Sequence, residues 1–151
     1  MVYSYQYLTA ADVLLVKGLL KIFGEAFGEM RTYQNDVPGD GYLTSLLAQR
    51  HFIALAAMTG DEVVGGLAAY VLDKLERDRR EIYIYDLAVA EEHRRRGIAT
   101  TLIRRLIDIA KDRRADVIFV QADSEDTPAI RLYEAFGAKK EAYQFDIVVT
   151  R

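Results

Sequence analysis

The chain has 151 residues, 51% of them hydrophobic and 28% charged, which is typical of a soluble globular protein and predicts one domain over 1–151. With 23 acidic and 20 basic side chains, the net charge is −3, which argues against a general nucleic-acid binder.

The absence of cysteine excludes disulfides, thiolate metal sites and a cysteine nucleophile. The two histidines, His51 and His93, share no ligand spacing, so no metal site is expected. The N-terminal residues lack the layout of a signal peptide, and no apolar run reaches the roughly 20 residues that span a bilayer. We therefore expect a cytoplasmic protein.

The first half of the sequence predicts a strand, two helices and a hairpin. Residues 3–8 alternate like a strand, and a helical apolar stripe over 11–27 contains Gly18 and Gly24, which weaken the helix prediction. A turn-rich stretch at 35–41 precedes a short helix over 42–48. Two apolar segments, 52–58 and 63–72, flank a Gly-Asp turn and predict the hairpin.

The second half alternates strands and helices. The predicted order is a strand over 81–89, an amphipathic helix over 98–112, a strand of the buried kind over 117–121, a helix over 127–136 and a strand over 143–149. Strands that bunch early and alternate with helices later predict a mixed α/β sheet. Antiparallel hairpins come first, and a parallel crossover through the 98–112 helix follows.

Three consecutive arginines, Arg94, Arg95 and Arg96, precede Gly97 between the strong strand and the following helix. The first turn of a helix presents unpaired N–H groups and a partial positive charge, which favour phosphate. Gly97 allows a close approach of backbone to a ligand, and the arginines can add charge-assisted hydrogen bonds. A solvated charge run is the competing interpretation, and the pattern alone leaves both open.

These residues resemble the signature of the GNAT family of N-acetyltransferases. The family's loop, Arg or Gln, two residues, Gly, one residue, then Gly or Ala, is matched by residues 94–99 after a Leu-x-Val strand end at 87–89. The family's second motif, Ala-x-x-Leu-Tyr followed by Phe-Gly, is matched by Ala129, Leu132, Tyr133 and residues 136–137. One departure concerns Asp126, where the family often has Asn.

The resemblance implies a GNAT fold, with antiparallel N-terminal strands, then a splayed parallel pair that admits acetyl-coenzyme A as co-substrate. The resemblance places the pyrophosphate on the backbone N–H groups of the signature loop and the pantetheine arm along the main chain of the Leu-x-Val strand end. The resemblance implies catalysis by Tyr133 and, although Asp126 departs from the family's Asn, cofactor contacts at Leu87, Ala88, Val89, Arg94, Arg95, Arg96, Gly97, Ile98, Ala99, Thr100 and Asp126.

Acetyl transfer from a thioester to an amine needs a neutral amine, a donor to the oxyanion and a proton for the leaving thiolate. Direct attack is favoured, since no cysteine can carry the acetyl group. Tyr133 matches the family's usual acid, although a core role suits its place on the apolar side of the helix.

Asp86 is predicted to share a face with Ile82, Ile84 and Ala88, where a carboxylate is costly unless it is paired or used. It would bind a cationic substrate or accept its proton, and a structural ion pair with an arginine is the alternative.

The strands and the signature loop look most like those of the gentamicin-modifying aminoglycoside 3-N-acetyltransferases, from about Phe52 to Gln121. Aminoglycosides are polycations, so a pocket lined by Asp86, Tyr85, Glu81, Asp123 and Asp146 would suit them. Within the same class, a polyamine, a small metabolite amine or a protein amino group is the alternative acceptor. A non-catalytic acetyl-coenzyme A sensor is the alternative from another class. No nucleic-acid or membrane partner is expected, and a homodimer is left open.

Overall fold

The computed structural model describes residues 1–28 and 37–150, which form two compact units, Met1–Gln121 and Ala122–Arg151. We call these the first and second units. Residues 35–36 of the predicted turn lie outside the described residues. Among the described residues no helix is long and apolar enough to cross a membrane.

The described residues of the first unit form a five-stranded mixed sheet with three helices. Its elements are β1 (Ser4–Tyr7), α1 (Val13–Phe27), α2 (Asp40–Leu47), β2 (Phe52–Thr59), β3 (Glu62–Asp73), β4 (Arg80–Val89), a 3₁₀ turn (Glu91–His93), α3 (Ile98–Asp112) and β5 (Ala115–Val120). The strands follow one another in the order β1-β2-β3-β4-β5, antiparallel except for the parallel pair β4–β5. This arrangement confirms the predicted mixed α/β sheet with a crossover through α3.

Two apolar clusters cover the two faces of the sheet. The first cluster joins α3, through Leu102 and Leu106, to one set of strand side chains, including Ile53 of β2. The second cluster joins α1 and α2, through Phe23 and Leu43, to the opposite set. Because β2 is buried on both faces, it reads as a continuous apolar run rather than an alternating one.

Gly66 of β3 allows α1 to pack directly against the sheet. A Cβ at this position would lie 2.5 Å from Cδ1 of Leu19 and would also overlap the carbonyl oxygen of Leu55. Only a residue without a side chain fits between the helix and the neighbouring strand.

A bulge interrupts the pairing of β3 with β4. Ala69 lies opposite Ile84 and Ala68 lies opposite Asp86, so Tyr85 is an extra residue with no cross-strand partner. An inserted residue of this kind breaks the two-residue alternation of a strand and redirects the side chains that follow it.

Because of the bulge, Asp86 does not share a face with Ile82 and Ile84, as the sequence had predicted. Ile82 and Ile84 belong to the first cluster, under α3, whereas Ala88 belongs to the second cluster, on the α1 and α2 face. Asp86 lies two residues before Ala88 in the regular part of the strand, so it shares the Ala88 face and not the isoleucine face. It is also only half-buried, so its charge is not fully removed from water.

Two other predictions about strands are wrong. β5 was expected to be a buried strand, but it is the last strand in the order of the sheet and Val117 is 43% exposed. Residues 143–149 form no strand, and their large apolar side chains are exposed. The second unit contains one helix, α4 (Thr127–Glu134), and its described residues include no strand with which 143–149 could pair.

Candidate functional site

The loop between β4 and α3 contains two residues with positive φ, and one of them, Gly97, faces open space. Gly97 is the N-cap of α3 and adopts a left-handed conformation with φ of 79°, while Arg95 adopts φ of 61°. A Cβ at Gly97 would meet no atom within 4 Å, so the space beside this residue is open. A positive φ at a non-glycine residue such as Arg95 is uncommon and shows that the loop is held in a defined shape.

The start of α3 presents unused hydrogen-bond donors. No side chain caps the helix, and the first helical bond runs from the N–H of Thr101 to the carbonyl of Gly97, at 3.0 Å. Within the described chain, the N–H groups of residues 95–100, which include Ile98, Ala99 and Thr100, donate to no backbone carbonyl. Such a cluster of N–H groups at a helix start suits a phosphate or pyrophosphate group.

The three arginines of the loop have different roles. Nε of Arg94 donates to the carbonyl of Val89 at 3.0 Å, so this side chain ties the loop to the end of β4. Nη1 of Arg96 lies 3.5 Å from the hydroxyl of Tyr3, which is 2.8 Å from Nδ1 of His93. Arg95 and Arg96 are exposed at the rim of the loop, where a guanidinium can meet an anion.

The end of β4 has one open backbone edge. Leu87, Ala88 and Val89 pair with β3, but the pairing of β4 with β5 stops at Ile84, opposite Val120. Beyond this point the two parallel strands no longer pair, as the predicted splayed pair requires. Apart from the Val89 carbonyl, which accepts from Arg94, this edge offers N–H and C=O groups to an extended ligand in the manner of an added strand.

Asp86 lies beside a group of tyrosines on the same face of the sheet. Burial raises the pKa of Tyr70 above its ordinary value, and Tyr42 and Asp86 raise it further. Burial, followed by Tyr85 and Asp86, raises the pKa of Tyr83 in the same direction. The carboxylate therefore acts on both rings, and this face combines negative charge with aromatic surface.

Tyr133 of the second unit has a pKa well above the ordinary value of a tyrosine. It lies on α4, where burial and the negative charge of Asp126 raise its pKa to about 12. A phenol with this pKa keeps its proton throughout the neutral range, as a general acid must. The Asp126 side chain accepts a hydrogen bond from the N–H of Ala129 at 3.2 Å, so it caps α4.

Comparison with known proteins agrees with this geometry. A family model described as acetyltransferase (GNAT) family matches residues 17–138, which contain the loop, the open edge and α4. The chain belongs to the GNAT family. GNAT members use acetyl-coenzyme A, and the open edge of β4 and the donors of α3 fit its pantetheine and pyrophosphate groups.

The chain is similar to solved aminoglycoside acetyltransferases and to curated N-acetyltransferases. The solved structure of an aminoglycoside acetyltransferase, HMB0005 from an uncultured soil metagenomic sample, has a TM-score of 0.97 and 52% identity, over 99% of this chain and 100% of its own. A second soil metagenomic aminoglycoside acetyltransferase, meta-AAC0020 in complex with sisomicin, has a TM-score of 0.90 and 27% identity, over 98% and 97%. N-acetyltransferase 8 from Homo sapiens is 29% identical over 107 residues, 71% of this chain and 47% of its own length. The chain thus spans about half the length of the curated relatives it matches.

The other acids predicted to bind substrate lie in three different places. Glu81 is near the start of β4, where Lys74 pairs with it at 3.8 Å, roughly 15 Å along the strand from Asp86. Asp123 and Asp146 belong to the second unit: the carbonyl of Asp123 accepts from the N–H of Asp126, and Asp146 accepts from the Gln144 amide at 2.9 Å. The roles of these three acids stay predictions.

Among the cavities lined by described residues, two lie in the first unit of this GNAT chain. The smaller, about 100 Å³, lies where α1 meets the end of β4 and is lined by Ile22, Glu25, Ala26, Val89, Ala90, Glu91, Glu92 and Arg94. Its three glutamates were not predicted as site residues: Glu91 and Glu92 belong to the 3₁₀ turn after β4, and Glu25 of α1 approaches the loop only in the folded chain. The larger, about 440 Å³, has a charged lining that includes Arg50, Asp73 and Arg114 and contains none of the predicted site residues. The smaller one borders the loop between β4 and α3.

Both histidines have partners that the sequence did not reveal. Nε2 of His51 lies 3.0 Å from Asp73, and His93 contacts Tyr3. Among the described residues no group of three or more His, Asp or Glu side chains could hold a metal ion.

Proposed function

We propose that this GNAT chain transfers an acetyl group from acetyl-coenzyme A to an amino group of an aminoglycoside, at the 3-amino position by resemblance, and so confers antibiotic resistance. The observation that carries the proposal is the placement of Asp86. The bulge turns this carboxylate onto an aromatic face, directly before the open backbone edge at Leu87–Val89. The 52% identity to a soil aminoglycoside acetyltransferase supports the same acceptor class.

Backbone groups of the first unit would hold the cofactor. The N–H groups of 95–100 would bind the pyrophosphate, with Arg95 and Arg96 adding charge at the rim. The edge of Leu87–Val89 would pair with the pantetheine arm. When bound, acetyl-coenzyme A supplies the acetyl thioester that the amine attacks.

The residues near the end of β4 would prepare the amine. The Asp86 carboxylate would attract the ammonium group and accept its proton, directly or through water, which leaves a neutral nucleophile. A backbone N–H of Leu87–Val89 would donate to the oxyanion that forms during attack. By resemblance to the family's usual acid, the Tyr133 hydroxyl of the second unit, which its raised pKa keeps protonated at neutral pH, would give its proton to the departing thiolate.

The test of acceptor class is a thiol-release assay with acetyl-coenzyme A. Gentamicin and sisomicin would be compared with spermidine, small metabolite amines and a peptide with a free N-terminus. We expect turnover with the aminoglycosides and nuclear magnetic resonance of the product to show acetylation at the 3-amino group. Turnover only with polyamines or peptides would replace the acceptor, and cofactor binding with no turnover on any acceptor would favour the sensor interpretation.

The Asp86→Asn variant tests the residue that carries the proposal. The side chain keeps its shape but loses its charge, so acetylation of gentamicin should fall strongly. A rise in KM with kcat retained would indicate binding alone, whereas a fall in kcat would indicate a base. The matched control is Asp61→Asn in the exposed β2–β3 turn. Normal kinetics of Asp86→Asn, with only a lowered melting temperature, would remove Asp86 from the site.

A further inference from the structure

Five aromatic rings form a continuous row across four strands of the first unit. Phe52 of β2 and Tyr70 of β3 have ring centroids 5.3 Å apart, and Tyr70 and Tyr85 of β4 are 5.9 Å apart in an edge-to-face contact. Tyr85 contacts Tyr83 at 5.6 Å, and Tyr83 stacks on Phe119 of β5 at 4.7 Å. We call these five side chains the aromatic row.

The register of the strands explains the outer part of the row. Phe52 lies opposite Tyr70, Tyr70 opposite Tyr83, and Tyr83 opposite Phe119. Directly opposed aromatic residues on one face of a sheet stabilise one another. Phe52 is buried in the second cluster, so one end of the row is anchored in the core.

Tyr85 differs from the other members of the row. It is the bulge residue, with no cross-strand partner, and its ring bridges Tyr70 and Tyr83. Its side chain is 62% exposed, against 37% for Tyr70. Cross-strand packing does not require this ring, yet the bulge holds it on the surface beside Asp86.

We propose, on the basis of the proposed function, that Tyr85 determines acceptor specificity by stacking against the apolar face of a sugar-like ring that carries ammonium groups near Asp86. The aromatic row is the platform, and Tyr85 is its exposed contact surface. The substrate class is then a rigid cyclic polyamine, and a linear polyamine is a poorer ligand.

The chemistry of both partners supports this choice. The face of an aromatic ring is electron-rich, and the C–H groups of a ring that bears ammonium substituents are polarised positively. A rigid ring also loses less conformational freedom on binding than a flexible chain, which must order many bonds. Burial and Asp86 raise the pKa of Tyr70 and Tyr83, so the platform stays uncharged when the carboxylate beside it is ionised.

The test measures binding separately from turnover. Titration calorimetry, with coenzyme A present, would compare gentamicin and spermine as ligands of wild type, Tyr85→Phe and Tyr85→Leu. Tyr7→Leu is the matched control: the same change, made on β1, where the tyrosine hydroxyl accepts from Arg113. We expect Tyr85→Leu to raise the Kd for gentamicin about 3- to 10-fold, with a smaller change for spermine. Tyr85→Phe should bind gentamicin as wild type does.

The outcomes distinguish this inference from the proposed function. Unchanged gentamicin binding by Tyr85→Leu, or an equal loss for gentamicin and spermine, would overturn the inference even if wild type acetylates aminoglycosides. Gentamicin binding that depends on the Tyr85 ring, without acetylation by wild type, would uphold the inference and overturn the proposed activity. An absence of gentamicin binding to wild type would overturn both.

Discussion

The raised pKa of Tyr133 predicts that the folded protein loses stability at high pH. A tyrosine titrates near 10 in the unfolded chain, whereas the folded protein holds the proton of Tyr133 until about 12. Between these values the folded state binds more protons than the unfolded state, so the free energy of unfolding must fall as pH rises. The contribution is fully present below pH 10 and is lost as the pH rises through 12.

The size of the effect follows from the two pKa values. By pH 11 the unfolded phenol is mostly ionised and the folded one is mostly neutral, which removes about 1.4 kcal/mol of stability relative to pH 9. Tyr133→Phe cannot titrate. The stability difference between wild type and this variant should therefore shift by about 1.4 kcal/mol against wild type over this interval.

Urea unfolding of both proteins at pH 9 and pH 11, followed by circular dichroism, measures this shift. Asp126→Asn is a useful third protein, because it removes the second cause of the raised pKa of Tyr133 and keeps a residue that can cap α4. Its shift should be smaller than that of wild type but not zero, since burial is the larger cause. A wild-type to Tyr133→Phe difference that is the same at both pH values would refute the reasoning.

Four further outcomes follow from the structure. Tyr133→Phe should lower kcat about a hundredfold or more in a thiol-release assay, with acetyl-coenzyme A affinity retained in calorimetry; wild-type turnover would return Tyr133 to a packing role. Gly97→Val should weaken acetyl-coenzyme A binding and cost about 1–2 kcal/mol of stability in urea unfolding, because its φ of 79° is unfavourable for a β-branched residue; unchanged affinity would contradict a role of the loop in binding pyrophosphate. Gly66→Ala should lower stability by about 1–3 kcal/mol through overlap with Leu19, whereas Gly39→Ala, with open space around its Cβ, should not; equal melting temperatures would refute the close packing of α1. Saturating acetyl-coenzyme A, at about a hundred times its Kd, should stabilise wild type by about 2.7 kcal/mol, and a thermal shift assay that shows no change would contradict cofactor binding.

The conformation of the loop between β4 and α3 could be predicted from the sequence because its determinants are local. Gly97 follows the arginines and precedes a helical repeat, and the structure places it at the N-cap of α3 with a positive φ. The amphipathic pattern of 98–112 likewise depends only on neighbouring residues, and α3 has these bounds.

The face occupied by Asp86 could not be predicted, because it depends on pairing with a distant strand. An unbroken alternation over "IYIYD" is the simplest interpretation, and it fails by one residue at Tyr85. For the same reason Tyr70 and Phe119 could not be predicted as neighbours of Tyr83, since their contact requires the register of three strands. An apolar segment such as 117–121 also cannot show whether its strand will be central or terminal.

The position of the bulge links the two halves of the proposed site. Ile84 is the last residue of β4 that pairs with β5, and the next residue, Tyr85, is the bulge. One irregularity thus separates the part of β4 that completes the sheet from the part, Leu87–Val89, whose edge is open to a ligand. It also turns Asp86 toward the aromatic row immediately before that edge. Since both features lie on one hydrogen-bonded strand, the distance between the Asp86 carboxylate and this open edge is set by backbone geometry and not by a mobile loop. A regular β4 of the same composition would still pair with β3, but Asp86 would share the face of Ile82 and Ile84, opposite to Tyr83 and the aromatic row.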